Sequence, residues 1–446
     1  MKSKSMSKEF TSIWNLSWPV IVGMALQSLL GTVDLKFISM IGTTQTAAAS
    51  ISNSAAGVIF VMCALVASGT VAIVARAYGE ENHEEVRRIG GQSVALAGII
   101  GGLIGVLCSI FTVGIVKVMF QPESGVLHSA EEYLSTIFLG TIFVFLSFTI
   151  RSILQALGDT KTPLYIFAIA NVLNMILDPI LIFSFGYGIK GAAIATVFSN
   201  IIAFFLITWV LIRKLYHGQL KTFIRYMKIH IYDAYRILRI GGWACLQQIS
   251  RPITGMLMFN LVNSVGKKEG VAAFGIGGQL FNYTFILLAG LTVAISVMVG
   301  QNLGRKDIKQ AELVVKEGIK IALLNMAIFA IPYVIFPDLI IRFFSTDPNV
   351  VKIGIEYLRI VYIGVFFVIL PVVYGGAFQG AGDTFPPMIS SLFANVVVKL
   401  LLAYWLAKPV GMGTNGVWIA ISISVIVEAL IIWIVFQKGT WKTKEV

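Results

Sequence analysis

Apolar stretches follow one another from end to end of this 446-residue chain, and about twelve reach the ~20 residues with which a helix crosses a bilayer. They fall near 13–38, 47–74, 90–116, 132–156, 163–185, 191–212, 237–262, 271–299, 313–337, 354–378, 387–407 and 414–436. Within hydrocarbon each backbone N–H and C=O must find its partner inside the segment, so runs this long suit helices and not barrel strands. Charged residues make up 13% of the chain, about half of what soluble domains carry. The chain reads as all-α and integral to the membrane, with twelve transmembrane helices.

A formal net charge of +12 invites a nucleic-acid partner, but its distribution argues for a lipid bilayer instead. Basic residues gather at Lys2, Lys4 and Lys8, at Arg76, Arg87 and Arg88, along 213–239, at Arg305, Lys306 and Lys309, and at Lys438, Lys442 and Lys444. The intervening loops are poorer. That alternation follows the positive-inside rule and puts both termini and the central loop in the cytoplasm of a multi-pass cell-membrane protein. Cys63, Cys108 and Cys245 are scattered through predicted helices, a spacing that suggests neither disulfides nor a metal site. The first apolar run lacks a small-residue cleavage site after it and reads as a retained span.

Sliding the chain by roughly 224 residues brings its halves into register: Gln155-Ala-Leu-Gly-Asp-Thr160 meets Gln379-Gly-Ala-Gly-Asp-Thr384, Tyr133 meets Tyr357, and Asn171 meets Asn395. With one further residue of shift, Gly79 meets Gly304 and Gly191 meets Gly416. Six helices per half start both halves on the same side, so the repeats are parallel, two six-helix bundles about a central cleft. The expected organisation is an N-terminal lobe over 1–212, a cytoplasmic linker over 213–236 and a C-terminal lobe over 237–446.

Within the first half two acids, Asp34 and Asp178, stand almost alone in apolar surroundings; their counterparts in the second half are Met258 and Leu402. An ionisable residue at membrane depth is a functional-site hypothesis by default. Asn171, Asn174 and Asp178 share one helical face, and Pro179 frees the carbonyl of Met175 one turn away. Thr196 follows on the next span, where antiparallel packing can bring its hydroxyl to Asp178. Together these oxygens suit a proton or an alkali cation. Gln27 and Asp34 lie seven apart on one face, and Pro19, about four turns earlier, is a candidate hinge. Lys36 points away from Asp34 and is free to snorkel. Lys399 and Glu428 read as a structural pair, and Arg151 and Arg251, placed near helix ends or facing the cleft, receive no chemistry.

These residues resemble the multidrug and toxic compound extrusion (MATE) family over nearly the whole chain. The resemblance is carried by Pro19 with Val33-Asp34-Leu-Lys-Phe-Ile-Ser-Met-Ile-Gly42, by Ala75-Arg-Ala-Tyr-Gly79 and Gly300-Gln-Asn-Leu-Gly304, and by the paired Gly158-Asp-Thr160 and Gly382-Asp-Thr384 turns. Asn174-x-x-x-Asp178-Pro179 followed by Gly191-Ala-Ala completes it. It implies twelve helices in two lobes, working as a cation-coupled exporter most similar to the DinF branch. By position, Asp34, Asn174, Asp178 and Thr196 become the cation site, ligating the ion if it is Na+, while Gln27, Met24 and Asn171 fall to the substrate cavity and Pro19 to the bend. No cofactor is implied beyond H+ or Na+. The implied partner is a small amphipathic substrate handled by a monomer. The chain lacks the second-lobe acids expected of the NorM branch.

Three rivals fit less well. A lipid-linked sugar flippase of the same superfamily needs a strongly cationic cavity, and Arg151, Arg251 and Lys399 are scattered. A major-facilitator carrier would have a basic loop where Gly79-Glu-Glu-Asn-His-Glu-Glu85 is acidic. Enzyme chemistry lacks a signature: the four histidines are isolated, with no H-E-x-x-H and no Walker motif.

Overall fold

The computed structural model describes residues 8–120 and 123–444. Among these, every regular element is helical: α1 (Lys8–Ser39), α2 (Thr43–Met62), α3 (Ala64–Gly79), α4 (His83–Ile110), α5 (Thr112–Phe120), α6 (Ser124–Leu139), α7 (Thr141–Ala156), α8 (Lys161–Pro179), α9 (Gly188–Leu215) and α10 (Leu220–Tyr226). The chain continues through α11 (Ile231–Gly304), α12 (Ile308–Ile335), α13 (Pro337–Phe344), α14 (Pro348–Val365), α15 (Ile369–Gly380), α16 (Phe385–Leu392), α17 (Leu400–Ala407) and α18 (Gly413–Gln437).

Ten described stretches are long and apolar enough to span a membrane, eleven when α6 and α7, bent by 47° at Gly140, count as one. Dividing α11 as well gives the twelve read from the sequence. Its 74 residues would reach about 110 Å, far beyond the ~30 Å of a bilayer core. Lys267, at φ 49° and ψ −150°, breaks it into two helices.

The repeat is visible in the stops and starts of helices. Asn82 accepts from the backbone N–H of Glu85 (3.1 Å) to begin α4, and Asp307 accepts from that of Gln310 (3.0 Å) to begin α12. Each side chain satisfies one of the orphan donors of a first turn. Gly158 and Gly382, both at positive φ, make the paired turns before α8 and α16.

The helices fall into two compact units. One is Pro19–Cys245; the other joins Leu246–Val446 to Met1–Trp18, so far as those residues are described. This differs from the boundaries at 212 and 237 drawn from composition, because the polar segment is packed and not a tether. Asp233, fully buried, pairs with Arg88 and Arg236 and accepts from Gln92 (2.8 Å), while the His230 N–H donates to the Gln92 side chain (3.1 Å). A buried acid held by two guanidinium groups and an amide fixes 230–236 against α4. At the other boundary, Ile13 is buried in the core of the second unit, and Gln310 donates to Glu9 there (2.7 Å).

Candidate functional site

The sequence sets up the site through a break in a helix. Asn174 and Asp178 are one turn apart on α8, and Pro179 next to them cannot donate to the carbonyl of Met175. The backbone continues as a π-helical turn over Ile180–Ser184, a local widening that recurs at functional sites. Gly186 and Gly188, both at positive φ, then reverse the chain into α9, and Gly191 has no room for a Cβ because the Leu181 carbonyl lies where it would go. That close approach brings Thr196 beside Asn174.

Asp178 is fully buried and Asn174 nearly so. In one orientation of its amide, Asn174 donates to Asp178 Oδ1 (3.3 Å) and to Thr196 Oγ1 (3.4 Å). Turned over, it donates to Asp34 Oδ1 (3.0 Å) and accepts from the Thr196 backbone N–H (3.1 Å), shorter contacts that satisfy both ends. The Asp34 and Asp178 carboxyls come within hydrogen-bonding reach of one another. Two carboxyl groups in such contact are held together only by a shared proton or by a cation between them. Asp178 Oδ2 has no protein partner. Two carboxyl groups and a hydroxyl are hard-oxygen groups of the kind that take a proton or a monovalent cation. Among the described residues no three His, Cys, Asp or Glu side chains converge as a multivalent metal site would require.

Asp34 opens onto a cavity of about 330 Å³ enclosed by α1, α2 and α6–α9. Pro19, Val20, Gly23, Gln27, Leu30, Gly31 and Asp34 form its α1 wall, one face of the helix. Of the residues expected at the substrate cavity, Gln27 and Asn171 line it and Met24 does not; Thr196, expected at the cation site, lines it as well. Lys36 is exposed in the last turn of α1. Thr196 makes no back-bond to its own helix and meets Asn174 instead.

Sequence reasoning missed Tyr133 and left Arg151 between a helix end and the cleft. Tyr133 on α6 lies near both acids; its recurrence as Tyr357 was the available signal, although Tyr357 packs in an aromatic cluster with Trp418 (4.8 Å between ring centroids). Arg151 on α7 lines the same cavity, flanked by Phe148 and Phe167. In the unit containing the second half, Lys399 and Glu428 are not in direct contact: Lys399 donates to Asn395, and Asn395 to Glu428 (3.4 Å). The equivalent positions Asn171 and Asn395 thus differ, one lining a cavity and the other bridging two charges.

Apolar spans in two units, with an acid pair of which Asp34 lines a cavity, are the make-up of a polytopic membrane transporter. The chain belongs to the MatE family, whose profile matches it twice, over residues 19–180 and again over 244–405. It is 27% identical over 435 residues to the probable multidrug resistance protein NorM of Thermotoga maritima, covering 97% of this chain and 93% of that one. It is 28% identical over 387 residues to the probable multidrug resistance protein YoeA of Bacillus subtilis, covering 85% and 83%. Among solved structures, a transporter of the MOP superfamily from Pyrococcus furiosus superposes with a TM-score of 0.89 at 23% identity, covering 98% of both chains. The family is one of transporters, not enzymes.

Proposed function

We propose that this chain exports amphipathic, cationic drug-like compounds from the cell, in exchange for H+ or Na+ bound at Asp34, Asn174, Asp178 and Thr196. The observation that carries the reading is the meeting of Asp34 with Asp178 on the wall of a cavity large enough for a small organic molecule. The names of the Thermotoga and Bacillus relatives support drug efflux as the activity.

In the cycle we envisage, a cation-bearing substrate and the coupling ion compete for the same two carboxylates. Arrival of the ion neutralises the negative charge that holds the substrate, α1 bends about Pro19, the cavity narrows and substrate leaves outward. Return to the inward-open state releases the ion. One elementary charge moving down 100 mV supplies about 2.3 kcal/mol, roughly a fifty-fold gradient of a neutral substrate.

The test is efflux from proteoliposomes under an imposed ion gradient. Asp34→Asn and Asp178→Asn should insert and fold, yet lose gradient-driven efflux by more than about a hundredfold. Wild-type transport in either variant sinks the scheme.

A further inference from the structure

Arg151 and Asp34 are the two charged side chains among the cavity's described lining residues. The acid has its part in the cycle; the guanidinium has none. Arg151 lies one turn before Gln155 on α7, beside Thr160 and Pro163 at the start of α8, whereas Asp34 lies near the C-terminal end of α1. Its guanidinium carbon is 5.9 Å from the Phe148 ring centroid and 5.7 Å from that of Phe167. No described residue forms an ion pair or hydrogen bond with it.

A guanidinium stays ionised at any physiological pH and presents five N–H donors in one plane. The phenyl rings meet its positive charge but accept none of those in-plane bonds. The donors therefore open onto the cavity, in the planar fork that binds a carboxylate through two parallel bonds. An unpaired cation at membrane depth is costly to keep for packing alone, and here it stands where a ligand can reach it.

We propose that Arg151 is a substrate-recognition residue that receives the carboxylate of an aromatic zwitterion, with Phe148 and Phe167 alongside the aromatic frame and the substrate's cationic group toward Asp34 and Asp178. This rests on the cavity being the substrate site, and it narrows amphipathic substrates that carry a cationic group to those that also carry a carboxylate. Ion uptake at the acids then removes one of two anchors and leaves the other, so release begins at the cationic end.

Rhodamine B, a zwitterion, and its ethyl ester, a cation with the same ring system, separate the possibilities by fluorescence polarisation on the purified full chain in detergent. Wild-type protein should bind the zwitterion at least tenfold more tightly than the ester. Arg151→Gln should bring the two within about twofold of each other without weakening the ester, and Arg151→Lys should keep part of the preference. Equal affinities in the wild type, or a preference that survives Arg151→Gln in protein with a wild-type melting curve, overturn the inference. Asp34→Asn should weaken both dyes alike. If it weakens neither while the Arg151-dependent preference persists, the Arg151 inference stands and the shared ion-and-substrate site fails.

Discussion

The roles proposed for Asp34 and Asp178 rest on one geometric fact, that Asn174 can reach both carboxylates and Thr196 from a single position on α8. Thr196→Val keeps the shape and removes one oxygen. It should weaken the apparent affinity for the coupling ion about fivefold, the worth of one hydrogen bond of about 1 kcal/mol, read as the ion concentration that half-saturates efflux. Asp159, in the turn before α8, offers a pH test outside the membrane. Burial pushes its carboxyl up, but hydrogen bonds from Lys214 and Thr162 outweigh that and hold it below the usual carboxylate value. A depressed acid stabilises the folded state above its unfolded value near ~4 and loses that contribution as pH falls through its folded value. Asp159→Asn should therefore cost stability at pH 7, by up to about 1 kcal/mol for a partly exposed pair. The loss should vanish in acid, as followed by thermal unfolding in detergent. Asp159→Ala also removes the contact to the Thr162 N–H (3.0 Å), so a pH-independent loss should remain.

At the scale of elements, helix crossings in this chain are set by where a side chain is missing. Where α3 meets the start of α11, a Cβ on Gly69 would lie 2.1 Å from the Ile237 carbonyl oxygen, and one on Gly241 would lie 1.8 Å from that of Leu65. Small residues let backbones approach in this way throughout membrane helix bundles. Gly241→Ala should destabilise by about 1–3 kcal/mol as the helices are forced apart, whereas Gly242→Ala, with nothing within 4 Å, should be near neutral. Their detergent melting curves compare the two directly. Pro19 carries the element-scale claim about motion. Although α1 runs through it as one helix, the missing N–H leaves Asn15 without its backbone partner. Pro19→Ala should restore that bond, raise the melting temperature and slow efflux, with dye binding kept. Unchanged efflux would remove the hinge from the cycle.

For the whole molecule, the asymmetry between repeats bears on the proposed coupling. The first repeat holds the paired acids; the second has Met258 and Leu402 in their places and a Lys399–Asn395–Glu428 relay elsewhere. Under the proposed antiport, one paired-acid site lining a cavity among the described residues predicts one coupling ion per cycle. If the substrate carries one net positive charge and exchanges one for one, the voltage term cancels and only the ion's concentration gradient does work. A zwitterion leaves the voltage term in place. Proteoliposomes with pH, sodium and potassium-diffusion gradients imposed one at a time should thus show membrane potential driving zwitterionic rhodamine B but not its cationic ester.

Hydropathy alone marked the spans, because lipid demands long apolar helices wherever they lie in the fold, and each expected span has a helix over it. The repeat was equally plain, since its turns are built from residues whose local backbone chemistry is fixed, Gly158 and Gly382 among them. Asn174, Asp178 and Thr196 could be grouped from helical spacing and one tight turn. What the fold alone decided is rotation and reach: which side of a helix faces the cavity, and what it meets there. Gly23 lines the cavity and Met24, one position on, does not. Asp34 joins Asp178 across 144 positions of chain, and Asp233 holds Arg88 across 145. Arg151 could be placed only as near a helix end or facing the cleft, because an apolar run says nothing of which face turns inward. Periodicity records what a helix is made of; packing determines what its side chains touch.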